Sequence, residues 1–453
     1  MKYIPVKPKT KKASALVFTL IVIAGLLIYA GAFVAISINQ NLAADIFKRR
    51  TAALNLAEAG LDHGLYWLRL QPQAPTSDNT NPWGGVQSLG GGTYSVVIDD
   101  LGPIATNPLV RKYKVTSTGT FGNFSRVLEN YIKVNTFGQY LWWTNMETFD
   151  GTNVWFWTQD HLSGQTHTNN HFNIYGDPIF GDTASSVDPY IYFYNGDPWN
   201  HVTSDTLPDP FSNPPHDEPD FQGGINVGAT YIDMPEAAAN LRASASDSAN
   251  GGLYLSGNST VVFNSAGTIT VTNKKKACTT GCVYTGGKWR CTCDAPSNGA
   301  LFVNNGTLTI SGTVNARMTI GASSDVIINN NVVYADDPRT NPASNDSLGI
   351  ISERDVVIND NISAYDLEID AAIMALNTSF MLNNWATTNV KGTLTVYGGI
   401  IQKERGPVGT FYSSGQKASG YSKEYIHDPR FTTNPPPFMP NTGDYDTVSW
   451  REN

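Results

Sequence analysis

The stretch Ser14-Ala-Leu-Val-Phe-Thr-Leu-Ile-Val-Ile-Ala-Gly-Leu-Leu-Ile-Tyr-Ala-Gly-Ala-Phe-Val-Ala-Ile-Ser-Ile38 decides how the chain is read. It supplies 25 mostly apolar residues, inside a longer interval, 13–44, that holds no Asp, Glu, Lys or Arg. About 20 such residues are enough to cross a bilayer as a helix, the conformation in which every backbone polar group finds a partner without water. No proline falls between Pro8 and Pro72, and beyond Asn39 the apolar residues Leu42, Ile46, Ala53, Leu54, Ala57, Leu61, Leu65 and Leu68 recur three or four apart. This spacing predicts one continuous helix over 14–70, its first half in lipid and its second half amphipathic. A secretory signal peptide, whose apolar core runs about 7 to 15 residues, is one alternative, with Ala30-Gly-Ala32 imitating its cleavage site. A plain single-pass anchor is another.

Residues 1–13 form a basic leader with Lys2, Lys7, Lys9, Lys11 and Lys12 and no acid. Positive-inside bias therefore puts this end in the cytoplasm and the rest of the chain outside it. Beyond the leader, 25 basic residues face 39 acidic ones, a balance that argues against a nucleic-acid partner. Lys48-Arg49-Arg50, just past the span, reads as solvated helix surface.

Ser14-Ala15-Leu16-Val17 after a basic leader, the long apolar run, Asn39-Gln40, and the exit segment Ala53-Leu-Asn-Leu-Ala-Glu-Ala-Gly-Leu61 together resemble the N-terminal helix of PilX-type minor pilins of type IV pili. Ala57, Glu58, Ala59, Gly60 and Leu61 are the most specific part of a match that covers roughly 60 residues. The resemblance implies a prepilin-like protein of the bacterial inner membrane, packed by this helix among other pilin or pseudopilin subunits. It also implies a leader cut by prepilin peptidase between Ala13 and Ser14. Two departures stand out: the peptidase normally cuts after glycine, where this chain has Ala13, and major pilins carry a glutamate where this chain has Phe18. A carboxylate in lipid needs a partner to offset its desolvation. Without it, filament register is specified less tightly, which suits a minor or tip subunit.

The texture changes after Pro72. In 71–136, Gly92-Thr-Tyr-Ser-Val-Val-Ile98, Lys112-Tyr-Lys-Val-Thr-Ser-Thr118 and Ser125-Arg-Val-Leu-Glu-Asn-Tyr-Ile-Lys-Val134 alternate with period two and predict a three-stranded antiparallel meander. Such a sheet would bury Leu54, Leu61, Leu65 and Leu68. Residues 137–250 read as an irregular region, rich in aromatics (Trp142, Trp143, Trp155, Phe156, Trp157) and in turn formers such as Asp209-Pro-Phe-Ser-Asn-Pro-Pro-His-Asp-Glu-Pro219. From 251 to 405, strands of three to five residues recur, among them Thr260-Val-Val-Phe263, Thr307-Leu-Thr-Ile310, Asp325-Val-Ile-Ile328, Asp355-Val-Val-Ile358 and Thr393-Leu-Thr-Val396. Most end in Asn, Gly or Ser, the pattern of a parallel β-helix whose coils are buried by stacking, with a β-sandwich as the alternative. The tail, 406–453, is proline-rich and is expected to run extended along the side of the β-domain, with Trp450 pinned down. The expected class is thus α+β: a long pilin-like transmembrane helix, a small antiparallel sheet and a large all-β domain.

All four cysteines flank Val283-Tyr-Thr-Gly-Gly-Lys-Trp289. A two-residue Gly286-Gly287 hairpin sets Cys282 opposite Cys291, which favours a disulfide there and leaves Cys278 for Cys293. A four-thiolate zinc site is the alternative, disfavoured by an oxidising exterior and by the Cys-x-Cys spacing. His161, His167 and His171 cluster, but their Thr and Asn neighbours favour hydrogen-bonded turn histidines over metal ligands. The loop Asp336-Asp-Pro-Arg-Thr-Asn-Pro-Ala-Ser-Asn-Asp346 offers oxygens for calcium yet lacks the spacing of a known calcium loop. No cofactor is expected.

Two functions compete. The first is structural, a minor pilin or pseudopilin that displays a surface β-domain for assembly or adhesion toward a glycan or protein receptor. The second is a membrane-anchored β-helix that binds or acts on polysaccharide, for which Arg354, Asp355, Asp360 and Asp366 are the dense candidates; all four suit outer turns equally well. The sequence favours the first and a chain that is not an enzyme.

Overall fold

The computed structural model describes residues 12–71, 75–104, 107–194, 199–200, 218–412 and 416–452. Lys2, Lys7, Lys9 and Lys11 of the leader and most of the turn-rich segment at 209–219 lie outside the described residues. The N-terminal run is one helix of 58 residues, Lys12–Arg69, about 87 Å long at 1.5 Å per residue. It is long and apolar enough to cross a membrane. From Ala15 to Thr51 every residue except Ser37 is exposed, and burial begins at Ala53. Leu42 and Ile46, which continue the apolar spacing, therefore have no cover within this chain. At the far end the Gln71 side chain donates to the Trp67 carbonyl at 2.9 Å, and Pro72 cannot extend the helix.

The buried third of the helix lies on an antiparallel sheet. Gly92–Ile104, Asn107–Phe121 and Phe124–Thr136 form the expected meander, with two short strands, Asn79–Thr80 and Gln87–Leu89, added to Gly92–Ile104. Leu56, Ala57, Leu61 and Leu68 of the helix close a core with Val96, Ile98, Tyr113, Val115, Leu128 and Ile132. Leu54 and Leu65 are half-buried against it. The sheet has a member that lies 305 residues further on: Asn441–Glu452 pairs antiparallel with Phe124–Thr136, setting Trp450 opposite Asn130 and Tyr445 opposite Val134. The expected tail is corrected accordingly. Its last strand returns to the helix-bearing sheet, and Trp450, 52% exposed, is not pinned.

Most of the remaining strands stack in parallel, as coils, with antiparallel exceptions such as Ser259–Asn264 on Thr268–Asn273 and Cys282–Thr285 on Lys288–Asp294. Along one face Leu253–Ser256, Ala300–Asn304, Arg317–Ala322, Ser347–Ser352, Leu367–Ala375 and Val390–Glu404 pair in that order. Trp142–Met146 then continues the face, pairing Trp142 with Ile400, and Thr166–Thr168, Ala184–Ser186 and Ile225–Val227 extend it. A second face runs through Ser259–Asn264, Leu308–Val314, Val326–Tyr334, Val356–Ile358 and Phe380–Leu382. Inward side chains fill the stack without gaps in sequence class: Val261, Ile310, Ile328, Ile358 and Leu382 from one side, Ile320, Ile350, Ile373 and Ile400 from the other.

The chain order along this stack is not sequential. It enters in the middle at Trp142, builds outward to Val227, then crosses to the far end and builds back from Leu253 until Val390–Glu404 docks on the coil where it began. The crossing segment lies along one face, tied by Asn169 to the Ile232 carbonyl at 2.7 Å, by Glu353 to the Ala238 amide at 3.1 Å, and by Asn298 to the Ser244 carbonyl at 2.9 Å. Its short helix, Ala239–Ser246, buries Leu241 and Ala245 against Ala300, Phe302 and Ile351. The tail covers the same face: Arg317 donates to Asn434 and Pro435, and Thr319 to the Pro437 carbonyl. Its Pro-rich part thus does lie along the β-domain.

The boundary expected at 251 also needs correction, because the described strands Trp142–Met146, Thr166–Thr168, Ala184–Ser186 and Ile225–Val227 belong to the same parallel stack. The apolar strands of this region, such as Phe156–Trp157, Ile179–Phe180 and Tyr190–Phe193, run only two to four residues, and others, Thr166–Thr168 and Ala184–Ser186, are polar, so no long apolar alternation builds up. Hydrogen bonds bury the polar ones instead: His167 Nδ1 to Ser185 Oγ at 2.8 Å, and His167 Nε2 to Asn169 Oδ1 at 3.1 Å.

Candidate functional site

The helix meets its sheet through glycines. A β-carbon on Gly119 would lie 2.2 Å from the Ala53 carbonyl oxygen and 2.3 Å from the Ala57 nitrogen; one on Gly60 would lie 2.1 Å from Ser117 Oγ. Ala57, Gly60 and Leu61 of the five-residue motif therefore face the sheet, while Glu58 is exposed and Ala59 half-buried. The motif brings backbone to backbone. Next to it, His63 stacks on Trp83 with ring centroids 3.7 Å apart, and its Nδ1 meets the Tyr94 hydroxyl at 2.8 Å. Ala13 and Ser14 fall within the first turn of the helix.

A cleft of about 520 Å³ opens on the coil stack where the first and last coils meet. Parallel pairing sets Phe156 beside Ile174 and Trp157 beside Tyr175, and Ile174 beside Phe193 on the next coil. Side chains alternate along each strand, so Phe156, Ile174 and Phe193 point into the core and Trp157, Tyr175 and Tyr194 stand outside as a ladder. Trp157 and Tyr175 stack at 4.3 Å, Tyr175 and Tyr194 lie 4.3 Å apart, and Trp155 meets Tyr194 edge-on at 5.2 Å. Phe411 stacks on Trp157 at 6.0 Å, and Phe149 and Trp385, packed edge to face at 6.2 Å, line the cleft with Tyr412.

Beneath the cleft lies a buried ion cluster. Arg405, 1% exposed, reaches Glu147 Oε2 at 3.1 Å and Asp160 Oδ2 at 3.4 Å. It also donates to the carbonyls of Val154 and Trp155 and lies over the Phe156 ring, 3.6 Å from its centroid. Lys423 Nζ bonds both oxygens of Asp160 at 2.9 Å, and burial pushes its ammonium below the ordinary lysine range. Thr144 and Trp142 donate to Glu147. Two cations thus meet two carboxylates, and the floor of the cleft carries no net charge.

The histidines do not form a site together. His161 is exposed, His171 faces Asp188 at 3.4 Å, and burial lowers His167 to about 4, so it is neutral in its hydrogen-bonded place. Among the described residues, the only three or more His, Cys, Asp or Glu side chains whose ligand atoms converge are Cys278, Cys282 and Cys291. Their sulfurs are taken up in two disulfides, Cys278–Cys293 and Cys282–Cys291. The hairpin register sets Cys282 directly opposite Cys291, with Gly286 and Gly287 both at positive φ. The acidic loop is held by donors: Asn341 bonds both carboxylate oxygens of Asp336 at 3.1 and 2.9 Å, the Asp336 amide donates to Asp346, and Arg430 grips the carbonyls of Ser344 and Asp346.

Each member of the polysaccharide quartet serves its own turn. Arg354 faces Asp325 at 3.6 Å; Asp355 accepts from Thr378 and Ser379, Asp360 from Asn383 and Asn384, and Asp366 from the Thr393 amide. The aromatic cleft, by contrast, is not among the sites read from the sequence. Trp155-Phe156-Trp157 is visible there as composition, but which rings face outward follows only from the coil register.

Comparison with known proteins gives three findings. A family model described as a domain of unknown function (DUF4900) matches residues 109–188, which span the end of the sheet and the first coils. No curated protein matches the sequence. Among solved structures, the crystal structure of competence-associated pilin ComZ from Thermus thermophilus is similar at 12% sequence identity and a TM-score of 0.31, with 89% of this chain and 97% of that chain covered.

Proposed function

We propose that the chain is a pilin-like filament subunit, a minor pilin of the PilX type, whose coil stack is a parallel β-helix displayed on the outside for assembly or adhesion. The observation that carries this reading is the uncovered apolar surface of the helix. From Ala15 to Phe47 it presents 33 residues, about 50 Å of helix against a hydrocarbon core of about 30 Å. Lipid can cover only part of that length. Leu42, Ile46 and Phe47, exposed beyond the span, call for protein neighbours, and the helices of like subunits are the natural cover. The β-helix reading is supported by parallel pairing that repeats over every successive coil.

In this reading the lysine-rich end is cytoplasmic, prepilin peptidase cuts between Ala13 and Ser14, and the mature protein passes from the bacterial inner membrane into a pilus or pseudopilus. Its role is structural: the carboxylates of the coil turns are engaged in holding those turns. Gly25 and Gly31 provide the test. A β-carbon on either would meet nothing within 4 Å in this chain, so Gly25→Leu and Gly31→Leu leave its own fold untouched while blocking close helix approach. Incorporation of these variants into filaments should fall sharply at unchanged membrane levels. Unaltered incorporation would reduce the helix to an anchor.

A further inference from the structure

We propose that the aromatic cleft is a carbohydrate-binding site that takes a neutral glycan chain along the ladder of Trp157, Tyr175 and Tyr194. The inference stands on the β-domain alone and does not depend on how the helix packs.

Three observations carry it. The first is the choice of side chain. On the inward side of these coils Phe156, Ile174 and Phe193 do the packing, so the outward rings are not needed for the core. Tyr194 is nevertheless 55% exposed and Trp157 and Tyr175 half-buried, at successive coils. A pyranose ring has one face of C–H bonds and an equator of hydroxyls. Trp157 is stacked between Tyr175 and Phe411, so the ladder meets a sugar with ring edges and tyrosine hydroxyls, which suit its polar rim, and Tyr194, the most exposed of the three, is the ring a pyranose reaches first.

The second observation is rigidity. Arg405, which follows Val390–Glu404, holds the segment from Val154 to Asp160 from below, and Lys423 fixes Asp160 in turn. Walls held this way lose little freedom when a ligand arrives.

The third is charge. Both cations of the floor are matched by carboxylates, and the exposed charged side chain of the rim is Asp150. Among the described residues, a polyanion, whether nucleic acid or acidic polysaccharide, would meet no unmatched cation there and one like charge. The exposed rim otherwise offers neutral hydrogen-bonding groups, Thr152 and Asn153. A neutral glycan needs nothing more.

The test uses the full chain in a detergent without a sugar headgroup, titrated with cellohexaose, maltohexaose and chitohexaose while tryptophan fluorescence and heat are recorded. An oligothymidine and an oligogalacturonate serve as polyanionic probes. At least one neutral hexamer should bind, and Tyr194→Ala and Trp385→Ala, at two rings lining the cleft, should each weaken it about tenfold, the scale of one aromatic contact. Tyr284→Ala, at an exposed ring of the cysteine hairpin, should leave binding unchanged. Tyr194 is exposed enough for its removal to spare the fold, which circular dichroism verifies. The proposal is overturned if no neutral hexamer binds at millimolar concentration, if the wall variants bind as the parent does, or if the polyanions bind in the cleft instead.

Discussion

Gly119 of the sheet and Ala57 of the helix meet backbone to backbone: a β-carbon on Gly119 would come within 2.3 Å of the Ala57 nitrogen and 2.2 Å of the Ala53 carbonyl oxygen. Neither atom can move without moving the helix. Gly119→Ala should therefore cost about 1 to 3 kcal/mol by overpacking and loosen the helix from the sheet. Gly60→Ala is expected to be milder, because its new methyl meets the Ser117 hydroxyl, a side chain that can rotate away. Thermal unfolding and amide exchange of the sheet, with Gly25→Ala as the neutral control, would rank the three. Equal effects at positions 60 and 119 would show that the close approach is not what the motif provides.

The return of Asn441–Glu452 to the sheet fixes where the two parts can be separated. A chain starting at Phe137 and running to the end would keep this strand but lose its partner, Phe124–Thr136. An unpaired strand carrying exposed Val448 and Trp450 is an invitation to edge pairing. Residues 137–440 should be monomeric and rich in β-structure, and 137–453 should self-associate, as read by light scattering after gel filtration. Identical behaviour of the two fragments would contradict this division.

Asp370 gives a pH signature. It is 1% exposed; its Oδ2 accepts from the Tyr334 amide at 2.9 Å, and burial lifts its carboxyl to about 7. An unfolded aspartate titrates near 4, so between about pH 4 and 7 the native state holds a proton that the unfolded state releases. Its contribution is present at low pH and lost as pH rises through that window, by roughly 3 to 4 kcal/mol. His167, lowered to about 4, works in the opposite sense, since the unfolded state takes up its proton first as pH falls below about 6.5. Asp370→Asn should equal the parent near pH 4 and exceed it in stability near pH 8. Denaturant titrations at both values test this, and a variant that tracks the parent at both would refute it.

What the sequence makes legible is whatever leaves a local pattern. The apolar run from Ser14 and the three-to-four spacing around Leu61 specify the helix, and Gly286-Gly287 fixes the register that joins Cys282 to Cys291. The strands Thr166–Thr168 and Ala184–Ser186 left no such trace, because Thr166, His167, Thr168 and Ser186 are buried by hydrogen bonds and not by apolar alternation. The partnership of Trp450 with Asn130 spans 320 positions and has no local signature at all. The cleft was hidden for a related reason: Trp155, Phe156 and Trp157 read alike until the coil register turns the middle one inward.

The most direct test of the pilin-like reading is the mass of the N-terminus of the protein extracted from the membranes of cells that have an active prepilin peptidase. The expected mature chain begins at Ser14, lighter than the full sequence by the 13 residues Met1 to Ala13, five of them lysines, with its apolar helix intact. A chain still beginning at Met1, or one cut after Ala32 as a signal peptide would be, would contradict it.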